Sequence, residues 1–120
     1  MSNQYHEPVE YLDEKTKDIT RALSSLKEEV EAVDWYNQRV AASSCPELKA
    51  IMAHNRDEEI EHAAMTIEWL RRNMDAWDEE LKTYLFKSGS ITELEDIAMG
   101  RQGSGEAKDE GSSLEIGDLK

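Results

Sequence analysis

Apolar residues recur three and four apart along the first forty positions. Val9, Leu12, Thr16, Ile19, Leu23, Leu26, Val30, Val33, Asn37 and Val40 form an uninterrupted heptad pattern, the signature of a helix with one face against another helix. No Gly or Pro lies between Val9 and Cys45, nor between Glu47 and Ser88. The pattern predicts a long helix from Glu7 to Ala42 and a second from Glu47 to Asn73. Pro8 and Pro46 stand where the two begin. A shorter helix is expected over Ala76–Phe86 and a weak one over Thr92–Met99, with no strand signal and no internal repeat. The first seam wants a helical partner along roughly 50 Å, at 1.5 Å per residue. One chain supplies only part of that length. Two long antiparallel helices and short C-terminal ones enclose no core alone, so the fold class is all-α with dimerisation into a four-helix bundle.

The second helix carries polar groups on its apolar side. On a wheel of 100° per residue, Leu48, Met52, Ala63, Thr66 and Leu70 fall within about 40° of Glu59. His62 lies near −60° and Trp69 near −80° on the same wheel. An ionised carboxylate in such an interface costs several kcal/mol unless it is paired or ligates a metal. Glu59-Ile60-Glu61-His62 is a Glu-x-x-His pair, and residues three apart on a helix are neighbours that can share one cation. On the first helix, Glu29 is in line with Ala22 and Tyr36 and is the acid best placed to lean inward. Four-helix di-iron proteins use a Glu from each of two helices and Glu-x-x-His from each of the other two. This chain holds half of that set, and a two-fold dimer completes it. The bland alternative makes Glu59 and His62 an interface pair satisfied by Arg39 or Arg56. Asp57, Glu58, Glu61 and Glu68 mostly belong to a solvated face. His54 and His6 are bystanders, Met52, Met65 and Met74 core filler, Trp35, Trp69 and Trp77 interface anchors, and Cys45 a small residue in a turn.

Charge narrows the partners. Of the 120 residues 14 are Lys or Arg and 27 are Asp or Glu, for a net charge of −13. That excludes phosphate recognition by basic clusters and docking on an anionic membrane, so neither nucleic acid nor membrane is expected as a partner. Cations are favoured. The N-terminus lacks the charged and apolar regions of a signal peptide, which places the chain in the cytoplasm. Its single Cys excludes an intrachain disulfide and disfavours a thiolate zinc cluster. Five of six glycines fall in the last 21 residues. Residues 1–99 are therefore the helical domain, 100–113 a flexible linker and 114–120 a terminal segment.

The segments Glu28–Tyr36 and His54–Met65, with Glu68–Asn73 and Thr83–Phe86, resemble the encapsulated ferritins. The resemblance covers residues 6–86. It implies a ferritin-like four-helix dimer with a di-iron ferroxidase centre at its interface, and dimers joined in an open ring. The centre would use Glu29, Glu59 and His62 from each subunit as iron ligands, with Tyr36 close by. It further implies that Glu28 and Glu31 attract metal and that Trp35 stands beside that route, while calcium or zinc can substitute for iron. Leu114, Ile116, Gly117 and Leu119 resemble the cargo peptide that docks proteins on the inner wall of an encapsulin shell, and an extended peptide can fill pockets with three such aliphatics. The implied function is Fe(II) oxidation feeding mineral storage inside that nanocompartment. Two alternatives stay open: a non-catalytic helical adaptor loaded into the shell, and a di-iron protein that handles peroxide or dioxygen.

Overall fold

The computed structural model describes residues 5–100, which fall into two compact units that meet at Asn73 and Met74. The expected linker from residue 101 onward and the terminal segment 114–120 lie outside the described residues. All regular structure among the described residues is helical. No helix there is long and apolar enough to cross a membrane.

The first unit is a hairpin of α1 (Glu14–Ala42) and α2 (Pro46–Asn73). The helical run predicted from Glu7 starts later, because Asp13 caps it: its carboxylate accepts a 2.8 Å hydrogen bond from the Thr16 N–H, satisfying a first-turn donor. Thr16, through its hydroxyl first and its N–H second, also holds the Asp13 carboxyl below its usual range. Ahead of it, Pro8 opens a single 3-10 turn over Val9–Tyr11. At the other end Ser43 caps α1, and its hydroxyl accepts from the Cys45 N–H at 3.2 Å before Pro46 starts α2. Pro46 fits a first-turn position, whose N–H would have no helical partner.

Two cross-helix bonds fix the register. Arg56 Nη1 donates to Asn37 Oδ1 at 2.9 Å, and Thr66 Oγ1 approaches Glu29 Oε1 at 3.2 Å. The rise from 29 to 37 on one helix against the fall from 66 to 56 on the other makes the pair antiparallel.

The predicted seam of α1 is only half right. Ile19, Leu26, Val33 and Val40 are half-buried, but Leu23 is 41 % and Val30 56 % exposed, and Val9, Thr16 and Asn37 are exposed too. The face that α2 shelters runs instead through Ile19, Ala22, Leu26, Glu29, Val33, Tyr36 and Val40. A heptad stripe is wide enough to meet two neighbours, and α2 occupies one side of it. On α2 the matching face is Met52, Arg56, Glu59, Ala63, Thr66 and Leu70, while Leu48, Ile51 and Met65 stay exposed. Leu70 is the one fully buried side chain among the described residues.

The second unit pairs α3 (Asp75–Tyr84) with α4 (Ile91–Ala98). Leu94 is its buried anchor. The third helix was expected to run to Phe86 but stops two residues earlier, since Phe86 adopts φ +60°. A left-handed backbone costs a residue with a Cβ about 1–2 kcal/mol, which is why glycine usually stands there. Gly89, at φ +95°, completes the turn into α4.

Candidate metal centre

Glu59 sits on the inner face of α2 with its side chain 27 % exposed, and His62 stands one turn later. His62 Nδ1 lies 3.7 Å from Glu59 Oε1. Two donors each about 2.1 Å from one first-row metal ion are at most about 4.2 Å apart, so this pair can converge on a single ion. The other imidazole nitrogen, Nε2, faces Glu58 Oε1 at 3.9 Å. That separation is too long for a hydrogen bond, so Glu58 acts on the ring through its charge alone. Glu58, expected among the solvated acids, thus stands beside His62. Its second oxygen lies 3.7 Å from His54 Nε2, so His54, Glu58 and His62 form a row at four-residue spacing.

Glu29 reaches the same interface from α1. It is half-buried, and Thr66 ties it to α2. Thr66 was visible in the sequence only as a member of the apolar stripe. It follows Glu59 by seven residues and His62 by four, about 10 and 6 Å of helical rise. The Glu29 level is therefore nearer His62 than Glu59. Among the described residues, no three His, Cys, Asp or Glu side chains of one chain are gathered to hold a metal ion. The hairpin presents an inner-face carboxylate on one helix and a Glu-x-x-His on the other, spread along its length.

The arginines do not quench this set. Arg56 turns to Asn37 and to Asp57 Oδ1 at 3.0 Å, and Arg39 places its guanidinium 5.1 Å from the centroid of the Tyr36 ring. Tyr36 is half-buried on the inner face of α1. Glu28 and Glu31 are exposed, as is Trp35, which lines a hollow with Gln38, Arg39 and Ala42. The structure thus separates the two outer acids from Glu29, which alone of the three turns inward.

An antiparallel hairpin with Glu on one inner face and Glu-x-x-His on the other is a ferritin-like helical arrangement. The chain belongs to the EncFtn-like family, whose model matches residues 4–88. It is 56 % identical to the encapsulated ferritin-like protein of Rhodospirillum rubrum, an alignment that covers 99 % of this chain and 89 % of that one. It is 58 % identical to a ferritin-like protein of Thermotoga maritima, across 83 % of this chain and 88 % of the other. Among solved structures, that of protein ne0167 from Nitrosomonas europaea superposes with a TM-score of 0.70 at 60 % identity. It covers 72 % of this chain and 96 % of its own.

Proposed function

We propose that two copies of this chain form a ferroxidase, which binds Fe(II) as substrate across their interface and oxidises it for storage in an encapsulin shell. The observation that carries this reading is the half set. Glu59 and His62 are close enough to grip one ion, and Glu29 lies on the facing helix tied to Thr66, yet the described residues of one chain complete no site. The exposed Leu23 and Val30 on α1 and Leu48 and Ile51 on α2 offer the apolar surface on which a second copy would pack, giving the four long helices of a bundle.

The acidic surface raises the local concentration of Fe(II), with the exposed Glu28 and Glu31 on the way in beside Trp35. Glu59 and Glu29 supply anionic oxygen and His62 a neutral nitrogen, a donor set suited to iron and most favourable to its higher charge state. Glu58, 3.9 Å from His62 Nε2, places a negative charge behind the ring. Thr66 holds the Glu29 carboxylate against swinging into solvent. Tyr36, with Arg39 over its ring, borders the site. Two Fe(II) ions held together each give up one electron. Dioxygen takes up the two electrons and two protons and leaves as hydrogen peroxide, and Fe(III) departs toward mineral. Calcium or zinc would fill the same oxygen-rich set without turnover.

The Rhodospirillum rubrum relative is described as encapsulated, which supports reading Leu114, Ile116, Gly117 and Leu119 as the peptide that docks this chain on the shell wall. Aerobic Fe(II) oxidation followed by ferric absorbance tests the catalytic part, with wild type beside Glu29→Ala and Glu59→Ala. Oxidation well above the protein-free rate, lost in both variants, is expected. Wild type and variants all equal to the blank would leave a non-catalytic adaptor as the better account.

A further inference from the structure

The second unit holds a hollow that its own two helices leave open. Leu94, Ile97 and Ala98 of α4 and Thr83 of α3 line it, with Lys87 from the turn between the helices, around about 420 Å³. Leu94 is buried, whereas Ile97 stays 39 % exposed, so the apolar lining is only partly covered. Three charged residues of α3 complete the wall. Asp78 holds Lys82 at 3.0 Å. Lys87 and Glu79 make no ion pair among the described residues, which leaves the hollow one cation and one acid to offer.

The segment that fits is the end of the same chain. The described residues stop at Gly100, two positions past Ala98 on the hollow. Thirteen residues, 101–113, then lead to Leu114. Fully extended they span about 45 Å, ample for residues 114–120 to turn back. Those thirteen carry no aliphatic side chain larger than Ala107, whereas Leu114, Ile116 and Leu119 follow within six positions. Glu115 and Asp118 bring acids for Lys87, and Lys120 brings a cation for Glu79. The hollow at Met65 and Trp69 is a poorer match, since its one cation, Arg72, already holds Glu68 at 2.7 Å. The hollow at Trp35 and Arg39 has no acid for Lys120.

We propose that residues 114–120 dock into the α3–α4 hollow of their own chain when no shell is present. Their aliphatics cover Leu94 and Ile97, their acids face Lys87, and Lys120 faces Glu79. A tethered segment has an effective concentration in the millimolar range. A dissociation constant of about 0.1 mM then seats it in about ten chains of eleven and weakens its binding to any other pocket about tenfold. The contact deepens the reading of this segment as a shell-docking peptide and rests on that reading for its consequence. The shell wall has to compete with the hollow, and the aliphatics stay out of water until it does.

Hydrogen exchange on the full chain, without shell protein or iron, tests it. Amides of residues 115–120 should exchange about tenfold more slowly in wild type than in a free peptide of residues 112–120. Ile116→Ser should return them to the free-peptide rate, and Lys87→Glu should remove most of the protection. Lys87 is exposed and Ile116 lies outside the helices, so neither variant should lower the thermal midpoint, which separates lost docking from lost folding. Carbodiimide coupling should join Lys87 to Glu115 or Asp118. In assemblies mixed from light- and heavy-nitrogen chains, that link should join light to light and heavy to heavy. Free-peptide exchange in wild type would overturn the proposal, as would protection left unchanged by both variants. Light-to-heavy links at the frequency of random mixing would overturn it too, by placing the segment on another copy. Docking on a shell wall is not read in this experiment, so the cargo-peptide reading and this one can fail separately.

Discussion

Thr66 offers the sharpest test of how the hairpin aims Glu29. A threonine hydroxyl has one proton to donate, yet two acceptors lie within reach: Glu29 Oε1 at 3.2 Å and the His62 carbonyl at 3.1 Å. The carbonyl already serves the helix ladder. A hydrogen bond to a charged acceptor is worth about 1.5–3 kcal/mol against about 0.5–1.5 for a neutral one, so the proton goes to Glu29. Thr66→Val keeps the shape and removes the donor. Glu29 is only half-buried and water replaces part of the lost bond, so the low end applies, about 1.4 kcal/mol or a factor of ten in the aligned population. Stopped-flow ferric absorbance at limiting Fe(II) should show oxidation about tenfold slower in Thr66→Val with helix content unchanged. Thr66→Ser, which keeps the hydroxyl, should stay within about twofold of wild type. Equal rates for wild type and Thr66→Val would refute the reasoning, as would a Thr66→Ser as slow as the valine variant.

Glu59→Leu puts an aliphatic chain where a carboxylate now sits on an apolar stripe, so the metal-free protein should gain about 1 kcal/mol. A raised thermal midpoint together with abolished iron oxidation is expected, and a lowered midpoint would contradict the placement. Arg71 and Arg72 hold the Glu68 carboxyl down from 4.5 to about 2. Its folded pKa is depressed, so what it adds to stability is fully present above about pH 4.5 and fades as pH falls toward about 2. The midpoint difference between wild type and Glu68→Gln should accordingly be constant near neutrality and vanish in acid. A difference undiminished at pH 2 would mean that the two arginines do not act through the charge of Glu68.

Element type and the position of Glu59 and His62 were legible because both follow from helical spacing. The inner face of α1 was less so. A heptad pattern records every residue that some neighbour covers, and it does not say which neighbour. Leu23 and Val30 fit the stripe as well as Leu26 and Val33 do, yet α2 shelters only the latter pair. Glu58 was hidden for a related reason. Its wheel position points away from the apolar centre, and its approach to His62 depends on side-chain reach across one turn. Thr66 looked like filler because the partner that gives it meaning, Glu29, is 37 residues earlier in the chain. Phe86 ended α3 where the apolar run Tyr84-Leu85-Phe86 suggested continuation; a positive φ at a residue with a Cβ leaves no mark in composition.

The central claim is that the metal centre belongs to two copies and to neither alone. Anaerobic Fe(II) titration of the full chain, with bound iron and sedimentation coefficient measured on the same samples, tests it directly. The account predicts saturation at one ion per chain, with the iron found on dimers or larger species and absent from any monomer. Glu59→Ala should bind none at that level. Stoichiometric iron on a monomer, or no saturable binding by any species, would contradict it.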